Sequence, residues 1–263
     1  MTRDIARFAA LGLLFSALAQ PTPAVAQRTL PLKPLKAGEF YSSGFLTEER
    51  ALPFGLVLGN VEPSQIRARW QRPLPLLHGT IAIEPPKGAT YQPGDSLLVV
   101  RLGEFIPGYG HVVQPTGIVR VTGTRGPAAI ATIVALFGQV VRDQKVLPLE
   151  KFSSPGVNIA PVAVQNGVTG RILGSDHRRE LFNELSVLFI DVGSKDGVAR
   201  GDLFEVRRRA ANPPGEIPSV SERMAVGQVV HVRERTATLR LLKVLSPDIP
   251  VGTPVIQIAK LPS

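Results

Sequence analysis

Leu188-Phe189-Ile190-Asp191-Val192-Gly193-Ser194-Lys195-Asp196-Gly197-Val198-Ala199-Arg200-Gly201-Asp202-Leu203-Phe204-Glu205-Val206-Arg207 reads as an apolar strand, a glycine-containing loop, a Gly-Asp turn and a second apolar strand. The same order occurs earlier, in Ile81-Ala82-Ile83-Glu84, a short loop with Gly88, and Pro93-Gly94-Asp95-Ser96-Leu97-Leu98-Val99-Val100-Arg101. Upstream, Gly55-Leu56-Val57-Leu58-Gly59 matches Gly170-Arg171-Ile172-Leu173-Gly174. Downstream, Gly117-Ile118-Val119-Arg120-Val121 matches Gly227-Gln228-Val229-Val230-His231-Val232, and Ala131-Thr132-Ile133 matches Ala237-Thr238-Leu239. These pairs lie 106 to 115 residues apart, so one unit occurs twice with small loop insertions. Such a tandem pair suits binding or scaffolding, because a catalytic centre seldom needs a near copy of its own domain beside it.

Short runs rich in Val, Ile, Thr and Leu recur between Gly, Pro and Asp punctuation, the signature of an all-β sandwich or barrel. With 24 Pro and 25 Gly, long helices have little room. The fold predicted is all-β, two tandem similar small β-barrel or sandwich domains. Residues 1–26 read as a signal peptide and 27–50 as an extended linker or N-terminal segment. A first β-domain follows over 51–150, a Ser/Pro/Gly-rich linker over 151–165, and a second β-domain over 166–263. Val140-Val141 is expected to be a strand of the first unit. Two stretches have helical features: Thr47 to Leu52, with a candidate N-cap before Glu48-Glu49, and Ser175 to Leu185, read as a short helix or a hairpin. The Ala210 to Ser219 loop replaces the Gly103 to Gly110 segment of the first copy.

Arg3 and Arg7 precede an apolar run from Phe8 to Ala19, and Ala24-Val25-Ala26 is a small-residue cleavage box. Cleavage after Ala26 is expected to release a periplasmic chain of 237 residues with no integral membrane span. The chain has no cysteine, which excludes thiol catalysis, thiolate metal sites and disulfide staples. Its net charge of +9 becomes +8 without the first 26 residues. That balance favours anionic envelope surroundings. The densest basic run, Arg207-Arg208-Arg209, is the candidate anionic-surface contact. No aromatic side chains interleave with it, so nucleic acid is not expected as a partner.

Gly94-Asp95-Ser96-Leu97 spells the signature of the GDSL esterases, in which the serine is a nucleophile. Ser96 would need a histidine base, and that family's late Asp-x-x-His pattern precedes none of His78, His111, His177 or His231. The second copy, Gly201-Asp202-Leu203-Phe204, keeps the turn and loses the serine. A hydrolase using Ser96 is thus the least supported of the function classes. The histidines have no metal-ligand spacing, and His231, inside an alternating strand, is expected at the surface. Asp191, Asp196 and Asp202 do not follow a calcium-loop pattern. Gly94, Asp95, Gly197, Gly201 and Asp202 instead read as structural turn residues, with no catalytic, cofactor or metal site assigned.

Tyr91-Gln92-Pro93-Gly94-Asp95-Ser96-Leu97 is similar to the opening of a LysM module, a small peptidoglycan-binding unit, although Leu98 to Arg101 continues as a strand where that module turns into a helix. Residues 166–258, through Asp191 to Val198, Gly201 to Val206, Val226 to Val230 and Val251-Gly252-Thr253-Pro254-Val255, resemble the C-terminal domain of the flagellar assembly protein T family. They also resemble β-rich regions accompanying LysM modules in exported bacterial proteins. The resemblance implies a small barrel used for attachment or assembly, with no catalytic residues to carry over. The function expected is a non-enzymatic envelope protein that binds peptidoglycan or acts as a scaffold. The alternative is a subunit of a larger periplasmic assembly.

Overall fold

Alternating β-branched residues fill two small barrels, and the computed structural model describes residues 34–61, 76–153, 161–177, 180–208 and 221–261. The signal-like segment 1–26, Ser154-Pro155-Gly156, Arg209 and the Ala210 to Ser219 loop lie outside these residues. A six-residue helix α1 (Ala37–Ser42) and a short strand β1 (Phe45–Leu46) come first. Then follow β2 (Gly55–Asn60), β3 (Thr80–Glu84), β4 (Ser96–Ile106), β5 (Gly110–Arg125), β6 (Ala128–Leu136) and β7 (Lys145–Pro148). The second set is β8 (Val162–Ala163), β9 (Thr169–Ser175), β10 (Val187–Ile190), β11 (Leu203–Arg208), β12 (Glu222–Val232), β13 (Ala237–Val244) and β14 (Pro254–Lys260).

Both sheets close on themselves. Among the described residues the first ring runs β2-β3-β6-β5-β4-β7 and back to β2, all antiparallel, with β1 added outside β5. The second runs β9-β10-β13-β12-β11-β14 and back to β9, with β8 added on β14. Strand for strand, the two rings have the same connectivity, so the sequence duplication is a duplication of architecture. Closure removes the sheet edges that an open barrel would leave unpaired.

Each barrel holds its own core. Ile81, Ile83, Leu97, Val99, Val119, Ala131 and Ile133 point into the first. Leu188, Ile190, Phe204, Val206, Leu239 and Leu241 fill the second. Some strands are apolar at every position, as in Leu97–Val100 and Val187–Ile190, because their outer faces are covered as well. Val187 and Phe189 face outward against Leu46 and Val112, which belong to β1 and β5. The covered outer faces therefore include the place where the barrels meet.

Four expectations change. Residues 34–50 are not an extended linker: α1 lies against both barrels, with Tyr41 packed on the first and Phe40 with Leu35 and Val230 on the second. Thr47 to Leu52 is not helical, because the Thr47 and Glu48 N–H groups donate to the His111 and Tyr109 carbonyls and prolong the β1 pairing. Val140-Val141 is an irregular loop before the turn at 142–143 rather than a strand. It folds around the Gln144 side chain, which accepts from Val141 N–H and Thr116 Oγ1 and donates to the Gln139 carbonyl. The strand lies a few residues later, at β7. The last change concerns His231, which is buried beneath α1.

Candidate functional site

The Gly-Asp turns are the same structure twice. Gly94 N–H donates to the Val121 carbonyl and Val121 N–H to the Asp95 carbonyl, both at 2.8 Å. In the second barrel Gly201 N–H donates to Val229 at 2.8 Å, and Val229 N–H returns to Asp202 at 2.9 Å. Each aspartate also takes an N–H three residues back: Gln92 to Asp95 Oδ2 at 2.8 Å, and Ala199 to Asp202 Oδ2 at 2.9 Å. Both glycines have φ near the left-handed side, +99° and +93°, which disfavours any residue with a Cβ. Gly197 ends the 3-10 turn Ser194–Asp196, its N–H donating to the Ser194 carbonyl. These turns tie the start of β4 to β5 and the start of β11 to β12.

Burial separates the two copies. Asp95 is exposed, whereas Asp202 has no exposed surface and also accepts from Gln257 Nε2 at 2.7 Å and Leu261 N–H at 3.4 Å. That burial raises the Asp202 carboxyl above its ordinary pKa.

The arginine run is engaged with carboxylates. Arg207 holds buried Glu205 with Nη2 at 2.6 Å, and Arg223 pairs with the same carboxylate. Arg208 lies 3.6 Å from Glu222 and 4.0 Å from Asp248. Ser96 borders a cleft with Tyr41, Pro86, Thr90, Tyr91, Pro148 and Lys151, and no histidine lines it. His177 pairs with Asp176 at 3.1 Å. Among the described residues no group of three or more His, Cys, Asp or Glu side chains is placed to hold a metal ion, and no helix is long and apolar enough to cross a membrane.

The residues that come together do so at the seam between the barrels. Glu48 is buried there and accepts from Arg235 N–H at 2.7 Å, Thr236 Oγ1 at 2.9 Å and Glu234 N–H at 3.2 Å. Its own N–H donates to the Tyr109 carbonyl in the β4–β5 turn, so one residue is bonded to both barrels. Thr238 Oγ1 donates to the Gly44 carbonyl at 2.9 Å, Arg235 Nη2 to Gly108 at 2.9 Å, and Arg240 pairs with Glu39 at 2.5 Å. Arg200 and Glu150 add an ion pair of 2.9 Å.

His231 belongs to this staple. Its Nε2 lies 2.9 Å from the Phe40 carbonyl, which makes Nε2–H the donor, and its ring packs 4.2 Å from that of Phe40. Burial pushes its pKa down to about 3. A depressed histidine leaves the unfolded chain holding the extra proton, so stability is full above about pH 6.5 and is lost as pH falls toward 3. The expected loss between pH 6.5 and pH 5 is about 2 kcal/mol, from at most 1.4 kcal/mol per pH unit. Urea unfolding at the two pH values checks it, with His231→Phe as the control. An unchanged pH slope in that variant would remove His231 as the cause.

Several recesses open along the seam. One, about 810 Å³, has Phe105, Ile106 and Pro107 of the β4–β5 hairpin on one wall. Phe182, Ile249, Pro250 and Val251 of the second barrel form the other. Phe105 is 51% exposed and Val251 71% exposed, large values for apolar side chains. A small one, about 220 Å³, lies among Phe40, Phe45, Leu147, Glu150, His231 and Arg233.

No family model and no curated protein matches this chain. The site therefore rests on its geometry alone. Sequence reading passed over Phe40, Phe105 and Arg233, and noticed Glu48 only as part of a possible helix start. Phe40 falls in the stretch read as a linker, although Gly38-Glu39-Phe40-Tyr41 carries an adjacent aromatic pair that a solvated linker does not need.

Proposed function

We propose that the chain is a non-enzymatic exported envelope protein, a rigid two-barrel subunit of a larger periplasmic assembly that grips a partner protein in the groove between its barrels. One observation carries this reading: exposed Phe105 and Val251 face the same groove from opposite barrels. Exposed apolar side chains gathered in a recess are the usual mark of a protein contact. The staple through Glu48 supports it, since barrels bonded through one segment present the groove as a fixed shape, with little ordering cost on binding. The alternative of peptidoglycan attachment through the arginine run has less behind it, because Arg207 and Arg208 are already paired with carboxylates.

Photo-crosslinking from position 105 in an envelope extract tests the proposal, with sacculi pull-down in parallel. A single protein adduct is expected, lost on Val251→Glu while the melting temperature stays unchanged. Binding to sacculi that weakens with salt and survives Val251→Glu would replace this reading with wall attachment.

A further inference from the structure

The groove between the barrels runs beside an open strand edge. β4 pairs with β7 over Leu97 to Val100 and with β5 from Ser96 to Ile106, so Arg101 to Ile106 have a strand on one side only among the described residues. The pairing with β5 is irregular between Leu102 and Phe105, where the Gly103 carbonyl lies 3.3 Å from His111 Nδ1. Ring closure leaves this extension of β4 outside it. Open space follows the same stretch: Arg101 to Glu104 line one recess, Glu104 to Pro107 line the groove of about 810 Å³, and Val112 and Ser175 border both. An unpaired edge offers backbone N–H and C=O groups to an extended segment lying along it.

Charge narrows the occupant. The chain carries a net charge of +9, yet the charged side chains that line the groove, among the described residues, are Glu104, Glu180 and Asp248, all of them carboxylates. Arg208 approaches Asp248 only to 4.0 Å, and both side chains are exposed. Beside these acids the walls are apolar, with Phe105, Phe182, Ile249 and Val251. We infer that the groove takes an extended basic segment of a partner protein, added as a strand along Arg101 to Ile106. Its apolar side chains lie against Phe182 and Ile249, and its Lys or Arg side chains face Glu180 and Asp248. Successive side chains of a strand point to opposite faces, so alternating apolar and basic residues over about 20 Å satisfy both demands. This rests on the groove reading above and adds the partner segment's conformation and charge.

Calorimetric titration and hydrogen exchange on the full chain test it. The probe is a short acetylated and amidated peptide alternating lysine and valine, and its control alternates glutamate and valine. The lysine peptide is expected to bind saturably and to slow exchange of backbone amides within 101–106 at least about ten-fold. The glutamate peptide should bind at least about ten-fold more weakly. Combining Glu180→Lys with Asp248→Lys, both at exposed positions, should weaken the lysine peptide by a similar factor. The comparison of the two peptides on the unaltered chain decides the matter even if that variant does not fold. Equal binding of the two peptides, no saturable binding of the lysine peptide, or binding without slowed exchange at 101–106 overturns the inference. If the adduct at position 105 still forms and is lost on Val251→Glu, the groove reading stands and only this assignment falls; absence of that adduct removes both.

Discussion

Phe40→Ala is expected to lower the unfolding free energy by about 3–5 kcal/mol, the usual range for emptying a buried phenylalanine site. Phe40 is 1% exposed and packs with Leu35 and Val230. Its ring contacts Phe152 at 5.3 Å and Tyr41 at 5.2 Å, while the Arg200 cation sits 4.4 Å over its face. None of these partners can follow the missing ring inward, because β12 behind them is one strand of a closed barrel. The loss should not stay local. Loosening α1 frees the segment that carries Glu48, so hydrogen exchange at the Arg235 amide should accelerate together with that at Glu234. A cost below about 1 kcal/mol, with both amides still protected, would show that the staple does not depend on Phe40.

Asp202→Ala should cost about 3 kcal/mol and Asp95→Ala about 1 kcal/mol, although the two residues occupy the same turn. Removing Asp202 orphans the buried Gln257 amide and releases the half-buried Ala199 and Leu261 N–H groups. Removing Asp95 releases only the Gln92 N–H, which is exposed to water. Acid should also distinguish them. Because burial raises the Asp202 pKa, the folded state binds that proton more tightly than the unfolded chain. Its contribution to stability therefore improves as pH falls toward the carboxylate range, opposite in sign to that of His231. Urea unfolding of both variants and of Asp202→Asn, across pH, measures this. Equal costs for the two alanine variants would mean that burial does not set the value of the turn.

The tandem barrels were legible because local chemistry and global fold agree in them. Gly94-Asp95 and Gly201-Asp202 each encode a turn within a few residues, and the alternating runs beside them encode strands with one face inside. The seam was not legible, because its partners are far apart in the chain. Nothing near His231 announces that Phe40 covers it, so an alternating strand position read as solvent-facing is buried. Glu48-Glu49 looked like the first turn of a helix and became a left-handed turn after β1 (φ 53° and 61°), since the Thr47 and Glu48 N–H groups are taken by the His111 and Tyr109 carbonyls. Arg207 and Arg208 stood out as a charged run, yet the acids that pair with them, Glu205 and Glu222, lie on the same sheet and were individually unremarkable in sequence.

The staple also orders events in time. Residues 35–48 leave the ribosome early and find part of their partners in the first barrel and at Phe152, yet their contacts at Val230, His231 and 234–240 lie more than 180 positions later. The partners of α1 on β12 do not exist until the second barrel has been synthesised. Contacts this distant form last and slowly, after the local hairpins of either ring. The seam with its recesses thus comes into being only when the second barrel forms against a segment made long before it.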